Sequence, residues 1–310
     1  MRLVGDIGGT SVRFAHADRG LLAEVSWSSA AFSGVDEALR RYVRHVGEAP
    51  SAIALGVAGP VSGRRCVTTN LPWEVDADAL SAEFGAPVCL INDFHAAARG
   101  LAALGRGDVV QLGGGDRVAG APVALLGAGT GLGEAVVSGE TIVPGEGGHA
   151  DFGAGTAREV ALAGWLIQER GRAEWEDVLS GPGLVTLAHF TFAERGAPVP
   201  PWLGQPEAPA RVLREMPEVA AWFAELYGAE AGNCALRCMA RGGVYLAGGV
   251  TLHVLPALRA GGFRRRFEDK GRLGRAVAEI PVYVVTHPSL GLLGAARELD
   301  LVEANCAIST

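Results

Sequence analysis

Leu126-Gly127-Ala128-Gly129-Thr130-Gly131-Leu132-Gly133 is the stretch on which the interpretation of this sequence depends. An apolar strand is predicted before it, over Val123 to Leu126, and a second one after it, over Glu134 to Val137. Glycine has no Cβ, so the turn between them can take positive φ and admit a ligand to bare backbone. Successive N–H groups in such a turn suit phosphate oxygens, and Thr130 adds a hydroxyl donor. The alternative is a flexible hairpin with no ligand.

The same pattern of strand, Gly-rich turn and strand occurs at the beginning of the chain. Gly5-Asp6-Ile7-Gly8-Gly9-Thr10 follows a short apolar run, and Ser11 to Ala17 is predicted to return as a strand. Asp6 would repel a bound phosphate unless a cation lay between them, and Mg²⁺ prefers one or two carboxylates together with phosphate oxygens. The alternative is that Asp6 hydrogen-bonds its own turn. Two copies of one hairpin indicate two related halves that hold one nucleotide.

Two commoner phosphate-binding motifs are excluded. A Walker loop needs Gly-Lys followed by Ser or Thr, but the single lysine, Lys270, stands between Asp269 and Gly271. No three glycines have the spacing G-x-G-x-x-G of the dinucleotide fingerprint.

Composition bounds the class of protein. The chain has 310 residues, of which 49% are hydrophobic and 20% charged, so it can build a sizeable core in one or two domains. A net charge of −7 argues against a general nucleic-acid binder, which needs a basic face. Because Asp6 interrupts the N-terminal apolar run and no apolar run has membrane-spanning length, we expect no signal peptide, no membrane contact and a cytoplasmic location.

The cysteines are an odd and scattered set, which we interpret as small core residues in a reducing compartment. Cys234 and Cys238 are one helical turn apart and could bind metal, but no second Cys/His pair at ligand spacing accompanies them. The full set is Cys66, Cys89, Cys234, Cys238 and Cys306.

Strands and helices alternate along the chain, which predicts an α/β fold with helices on the faces of a mixed sheet. The strand Val88 to Ile91 delivers Asn92 and Asp93 at its carboxyl end, where ligands gather in such sheets. The Gly-rich stretch Gly105 to Gly120 is interpreted as a domain hinge, and the Pro-rich stretch Gly196 to Pro209 as a surface loop.

Three acidic residues and one histidine are candidates for chemistry. Asp93 can accept the proton of a hydroxyl that attacks phosphorus, but Asn and Asp are also favoured as helix N-caps. Glu146 and His149 lie in a Gly-rich loop and together can bond vicinal sugar hydroxyls; zinc is the alternative, although no third ligand stands nearby. Glu176, taken alone, is a solvated surface charge.

Six motifs occur in one order along the chain: Asp6-Ile7-Gly8-Gly9-Thr10, Ile91-Asn92-Asp93-Phe94, Gly127 to Gly133, Pro144 to Phe152, Val178 to Leu184, and Leu246-Ala247-Gly248-Gly249. Together they resemble the motifs of bacterial glucokinases and span nearly the whole chain. The resemblance implies two ribonuclease-H-like domains of the actin-like ATPase type with a cleft between them. The implied domains are 1–105 plus 290–310, which is the smaller, and 106–289, which is the larger.

The resemblance also implies an ATP-dependent glucokinase, which phosphorylates the 6-hydroxyl of D-glucose to give glucose 6-phosphate and ADP. Asp93 would be the general base, and the residues that bond the other hydroxyls would be Asn92, Glu146, His149 and Glu176. Asp6 would orient Mg²⁺ through water. The ATP phosphates would lie on the two hairpin turns and the adenosine beside a third glycine pair; these residues are Gly8, Gly9, Thr10, Gly129, Thr130, Gly131, Gly248 and Gly249. Ser11 departs from the asparagine that is usual in the family.

Two rival functions stay open at this point. One is a kinase for another hexose, and the other is a non-catalytic sugar sensor. A sensor needs neither a base nor a metal-binding aspartate, so Asp93 and Asp6 weigh against it. Glucose and ATP are the expected partners, and nucleic acid and membrane are not. Members of the family are often homodimers, but the sequence shows no interface, so a homodimer is left open.

Overall fold

The computed structural model describes residues 1–308, and the side chains of residues 1–304. Its internal contacts divide the chain into two compact units. The first unit comprises Met1–Arg106 and the chain from His287 onwards, and the second comprises Gly107–Thr286. The chain thus leaves the first unit, completes the second and returns. The predicted division into two domains, 1–105 plus 290–310 and 106–289, remains a prediction.

Strands and helices alternate through both units. The strands are β1 (Arg2–Ile7), β2 (Ser11–Ala17), β3 (Leu21–Ser28), β4 (Ala52–Val57), β5 (Val61–Ser62), β6 (Arg65–Val67), β7 (Glu74–Asp76), β8 (Val88–Asn92), β9 (Val109–Gly113), β10 (Val123–Ala128), β11 (Leu132–Ser138), β12 (Thr141–Gly145), β13 (Gly243–Ala247) and β14 (Val282–Val285).

The α-helices are α1 (Val35–Val46), α2 (Ala77–Phe84), α3 (Asp93–Gly100), α4 (Ala157–Arg170), α5 (Gly181–Glu194), α6 (Ala208–Glu215), α7 (Pro217–Cys238), α8 (Gly249–His253), α9 (Leu255–Arg259), α10 (Gly262–Glu268), α11 (Gly274–Ala278) and α12 (Leu290–Ile308). None of these described helices is both long and apolar enough to cross a membrane.

The main sheet of the first unit has the strand order β3-β2-β1-β4-β8. Strands β1, β4 and β8 run parallel, β2 pairs antiparallel with β1, and β3 pairs antiparallel with β2. The parallel strands end at the same level, because Ile7 pairs with Val57 and Val57 pairs with Asn92. The β1–β2 turn and the beginning of α3 therefore lie at one edge of this sheet. Strands β5, β6 and β7 form a small separate sheet.

The sheet of the second unit has the order β12-β11-β10-β13-β14-β9. Strands β10, β13 and β14 are parallel, and Gly127 pairs with Ala247, so the turns that follow β10 and β13 lie side by side. Strand β9 pairs antiparallel with β14 at the sheet edge. The predicted hinge Gly105 to Gly120 is therefore wrong for the part that forms β9, although the boundary between the two units, Arg106/Gly107, falls within this stretch.

Helices pack against the main sheet of each unit and bury its apolar side chains. In the first unit one face carries α1, whose Leu39 and Tyr42 are fully buried. The other face packs Val4 and Ala54 against Leu292 of α12. The core of the second unit forms around α7, which is buried along most of its length.

The predicted surface loop Gly196 to Pro209 is also wrong at its C-terminal end. Helix α6 begins at Ala208, and Pro209 lies in its first turn, where the missing N–H has no intrahelical partner to lose. Leu203, within the same stretch, is 3% exposed. Proline-rich composition therefore marked the beginning of a helix rather than the continuation of a loop.

Candidate active site

Asp6 lies in β1 one residue before the strand ends and pairs across the hairpin with Arg13. Burial raises the pKa of its carboxyl, and the charge of Arg13 acts in the opposite direction. Helix α12 approaches this carboxyl closely, since a Cβ at Gly291 would lie 3.0 Å from Asp6 Oδ2. A confined carboxyl whose ionised form is disfavoured by burial gains stability from a bound cation, which fits a hard oxygen ligand for Mg²⁺.

The first Gly-rich turn is closed by its own backbone. Gly8 N donates to Ser11 O at 2.9 Å, and Ser29 Oγ donates to Gly8 O at 2.8 Å. A Cβ at Gly9 would lie 2.7 Å from Asn70 Cβ, so the approach of Asn70 requires glycine there. Neither Gly8 nor Gly9 has a positive φ.

Asn92 is the N-cap of α3 and Asp93 is its first helical residue. Asn92 Oδ1 accepts from the backbone N–H groups of Phe94 (2.9 Å) and His95 (3.1 Å), while its Nδ2 donates to Gly59 O (3.2 Å). Asp93 Oδ1 accepts from Phe94 N at 2.9 Å. The capping role that the sequence offered for either residue therefore belongs to Asn92.

Asp6 and Asp93 lie at the same edge of the first unit's sheet. Strand β4 separates their strands, and a strand spacing of about 4.8 Å puts β1 and β8 about 10 Å apart. The backbone of Asp6 is therefore separated by one strand from that of Asn92, the residue before Asp93. One side chain at this edge can therefore act on a metal while the other acts on a hydroxyl.

The second Gly-rich turn packs against the beginning of α5. Gly129 N donates to Gly131 O at 2.8 Å, and Gly181 N donates to Gly129 O, also at 2.8 Å. A Cβ at Gly131 would overlap the carboxylate of Glu176, whereas a Cβ at Gly129 would meet nothing within 4 Å. No glycine from Gly127 to Gly133 has a positive φ. The turn thus does not use the positive φ that its glycines permit, and the close approach of Glu176 is the reason for glycine at Gly131.

Glu176 joins this turn to the Glu146–His149 loop. Its Oε2 accepts from Leu132 N at 2.8 Å, and its own N–H donates to Gly148 O at 2.8 Å. Glu146 is exposed at the beginning of a short 3₁₀ turn, Gly147–His149. The second unit therefore brings together Glu146, His149, Glu176 and the second turn.

His149 has a partner that the sequence interpretation missed. Its Nδ1 lies 2.8 Å from Glu174 Oε2, and this hydrogen bond is the main reason why the pKa of the imidazole is raised. Arg172 donates to His149 O at 2.7 Å and pairs with Glu174 at 3.1 Å. The position of Glu174 in the sequence does not indicate this contact, because an isolated β-bridge between Asp151 and Glu174 brings Glu174 next to His149.

The turn after β13 is the place where a positive φ is required. Gly248 has φ +95°, and a Cβ there would overlap the backbone of Ala128. Gly249 has open space at its Cβ position. The Gly248–Gly249 turn therefore lies against the strand that leads into the second phosphate-binding candidate.

Among the described side chains, the three-residue group that can hold a metal is Glu134, Glu230 and Cys234. Glu146 and His149 are not part of it, so the zinc alternative at that loop lacks a third ligand there. Cys66 and Cys234 are buried free thiols, and Cys89 and Cys238 are partly buried free thiols. The prediction for Cys306 lies outside the described side chains.

Comparison with known proteins gives close relatives over the whole length. A glucokinase from Stenotrophomonas maltophilia (strain K279a) is 38% identical over an alignment of 316 residues, gaps included, that covers 95% of this chain and 93% of that protein. The solved glucokinase from an Antarctic psychrotroph has a TM-score of 0.82 at 29% identity, over 96% and 98% of the two chains. A ROK family glucokinase from Streptomyces griseus, solved with glucose and AMPPNP, has a TM-score of 0.66 at 20% identity over 95% and 97%, which supports the fold alone.

These comparisons define the class as a sugar kinase with the two-domain fold of actin-like ATPases, which confirms the predicted fold class. The glucokinase family model matches residues 3–301. The chain belongs to the glucokinase family, and it is an ATP-dependent hexose kinase that phosphorylates glucose.

Proposed function

We propose that this chain transfers the γ-phosphoryl group of ATP to the 6-hydroxyl of D-glucose, with Asp93 as the general base. The observation that carries this proposal is the division of roles at the beginning of α3, where Asn92 caps the helix and Asp93 is its first residue. The positive end of the helix dipole favours the ionised carboxylate of Asp93. An ionised carboxylate can accept the hydroxyl proton as the oxygen attacks phosphorus.

The sugar residues of the proposal come from both units. Glu146, His149 and Glu176 offer acceptors and donors for several hydroxyls, and their loop and turn are already connected by backbone bonds. Asn92 uses its carbonyl and one amide hydrogen within the protein, which leaves the second amide hydrogen for a hydroxyl. Placing these residues and Asp93 on one sugar molecule is part of the proposal.

The nucleotide part of the proposal uses the glycine turns. The ATP phosphates would bind the backbone N–H groups of Gly8–Thr10 and Gly129–Gly131, and the adenosine would pass Gly248–Gly249. Open space beside Gly129 and Gly249 supports this assignment. Asp6 would hold Mg²⁺ through water, and a bound Mg²⁺ would neutralise charge on the β- and γ-phosphates.

The rival functions define the test. A site built to bond hydroxyls rejects analogues that lack them, so glucose is expected to have the highest kcat/KM among common hexoses. A coupled assay with a panel of sugars, with ATP or polyphosphate as donor, measures this, and ³¹P NMR of the product checks phosphorylation at the 6-position. A higher kcat/KM for N-acetylglucosamine or fructose would show a kinase for another hexose, and glucose binding without transfer would show a sensor.

Cytoplasmic location remains part of this proposal, and the homodimer stays open. The location rests on the sequence pattern and the homodimer on the resemblance, and neither rests on contacts of the described residues. Size-exclusion chromatography with light scattering decides the assembly.

A further inference from the structure

Two carboxyl groups are buried in the second unit next to the Glu146–His149 loop. Glu134 on β11 is 8% exposed and Glu230 on α7 is fully buried. Cys234 lies one turn further along α7 and is 6% exposed. We call Glu134, Glu230, Cys234 and Arg237 the buried acid cluster. None of the four belongs to the sugar or nucleotide residues proposed above.

Arg237 supplies the positive charge of this cluster. Its Nη1 lies 2.6 Å from Glu230 Oε1, 3.5 Å from Glu134 Oε2 and 3.4 Å from Cys234 Sγ. A guanidinium nitrogen thus already occupies the position between the three groups that a metal ion would bridge. The cluster is therefore an ion-pair network rather than a metal site.

Glu134 also contacts the loop from Glu146 to His149, which we call the sugar loop. It pairs with Gly145 across β11 and β12, and a Cβ at Gly147 would overlap its carboxyl group. A Cβ at Gly148 would overlap the carbonyl of Leu132 in the same strand. The loop between Glu146 and His149 therefore rests directly on the carboxyl group of Glu134.

The charges around Glu134 do not balance when both carboxyl groups are ionised, since one guanidinium faces two carboxylates. Glu134 Oε1 is buried and has no hydrogen-bond partner among the described residues. Burial, reinforced by the charge of Glu230 and opposed by Arg237, raises the pKa of Glu134 to about 7. An unpartnered, ionised oxygen at this position is costly, so Glu134 holds a proton up to neutral pH.

The other groups that face Glu134 do not replace that proton. Burial raises the pKa values of the Cys234 thiol and the Tyr227 hydroxyl on α7, so both stay neutral. Lys270 interacts with the charge of Glu230 and is joined to it by Asn233, whose Oδ1 accepts from Lys270 Nζ at 2.8 Å and whose Nδ2 donates to Glu230 Oε2 at 2.8 Å. On the loop side the charged groups are Glu146 and His149, whose charges change the field at Glu134 but cannot fill the position of its proton.

We propose that Glu134 is a positioning residue for glucose: its protonated carboxyl group, held by Glu230 and Arg237, supports the loop that carries Glu146 and His149. Ionisation of Glu134 places an unpaired charge under Gly147, which the loop relieves only by lifting to admit water. The sugar loop is then displaced, while the turns proposed to hold ATP are not. This inference rests on the proposed sugar role of Glu146 and His149.

The test compares Glu134→Gln with wild type across pH 6 to 8.5. Wild type is expected to show KM for glucose rising as pH passes about 7, with KM for ATP little changed. Glutamine keeps the shape and stays neutral, so Glu134→Gln should hold KM for glucose at its low-pH value over the whole range. Removing the cation in Arg237→Met should move the rise to higher pH. Calorimetric glucose binding without ATP should follow the same profiles.

Two further variants keep the test decisive. If Glu134→Gln does not fold, Glu230→Gln removes the charge that helps to raise the pKa of Glu134 and should move the rise in KM for glucose to lower pH. Glu159 is a second buried glutamate paired with an arginine, Arg266, at 2.9 Å, so Glu159→Gln is the matched control. It should lower stability and leave the pH profile of KM unchanged.

The outcomes separate this inference from the proposed function. A wild-type protein that does not phosphorylate glucose overturns the proposed function. A wild-type enzyme whose glucose KM is flat across this pH range, or a Glu134→Gln enzyme that keeps the wild-type rise, overturns the inference alone. A rise that persists in Glu134→Gln is then assigned to His149, the other titrating group of the loop.

Discussion

The β1–β2 hairpin and the β10–β11 hairpin begin from the same sequence pattern and differ in their charges. When Gly8-Gly9-Thr10 is aligned with Ala128-Gly129-Thr130, Asp6 corresponds to the buried Leu126. Across the hairpins their partners are Arg13 and Glu134. The first hairpin thus has an acid on its leading strand with a cation opposite, and the second has its acid on the returning strand.

The position of the acid decides what each hairpin can do. Asp6 precedes its turn, where a metal can bridge it to phosphate. Glu134 follows its turn and lies under the sugar loop, while the turn itself receives the carboxylate of Glu176. In the proposals above, one hairpin pattern would therefore supply a metal ligand in the first unit and a loop support in the second. The predictions below test this division, in which the first unit would carry the general base and the metal ligand and the second would carry most of the sugar contacts.

The largest effect is expected from Asp93→Ala, which should lower kcat by about 10²–10⁴, the usual contribution of general-base catalysis. Glucose affinity should largely remain, since the sugar residues of the second unit are untouched. Initial rates at saturating substrates and calorimetric glucose binding measure both. Wild-type turnover in a folded variant would remove Asp93 from the mechanism.

Asn92→Ala, at the adjacent residue, is the control for Asp93→Ala. Loss of the cap should cost about 0.5–2 kcal/mol of stability, measured by thermal denaturation. Its kcat should fall far less than that of Asp93→Ala. Equal losses of kcat in both variants would mean that the beginning of α3, not the Asp93 carboxylate, matters.

Asp6→Ala is expected to reduce the use of MgATP by about 10- to 100-fold, the usual effect of removing a group that orients a metal through water. Glucose binding without ATP should survive. ATP kinetics across a range of Mg²⁺ concentrations measure the effect. Kinetics identical to wild type at every Mg²⁺ concentration would return Asp6 to a structural role in its hairpin.

Gly131→Ala and Gly129→Ala form a matched pair within one turn. The methyl group at 131 displaces the carboxylate of Glu176 from Leu132 N, whereas the one at 129 enters open space on the proposed phosphate side. Loss of a hydrogen bond to a charged group should raise KM for glucose about tenfold in Gly131→Ala. Gly129→Ala should raise KM for ATP instead. The same change in both variants would contradict the assignment of two ligands to the two sides of the turn.

The smallest effect is expected from Glu174→Gln. Because Glu174 raises the pKa of His149, its contribution to stability is fully present below the unfolded pKa of about 6.5 and is lost as pH rises through the folded pKa. Glu174→Gln should therefore destabilise the protein at pH 5.5 by about 0.2–1 kcal/mol, as expected for an exposed pair, and by less at pH 9. Denaturant titrations at both pH values measure the difference. A larger loss at pH 9 would contradict this pairing.

Regular periodicity and strong stop signals made much of the fold predictable from sequence. The helical spacing of Val35 to Val46 and the glycine after it mark the ends of α1, and Gly47 takes the left-handed conformation that ends this helix. Both hairpins were visible from apolar runs around glycine turns. Strand β9 was hidden because Val109–Gly113 is short, lies at a sheet edge and stands among glycines.

The candidate site was predictable only where a motif was local. The residues of Asn92-Asp93 and of each glycine turn are contiguous in sequence, so a role could be assigned to each motif before its place in the fold was known. Glu174 and the buried acid cluster could not be found in this way, because their partners come from distant segments. The contact between Glu134 and Glu230 depends on how β11 packs on α7, which no local pattern contains.

Helix α12 has a consequence for biosynthesis. The ribosome completes residues 107–286 before this helix exists, so the second unit can fold while the first is still unfinished. Until then, the face of the first sheet that carries Val4 and Ala54 lacks Leu292 and Leu299, which cover it in the folded protein. A nascent chain paused before α12 would therefore display an apolar sheet face, and exposed apolar surface of this kind is prone to aggregation until the helix covers it.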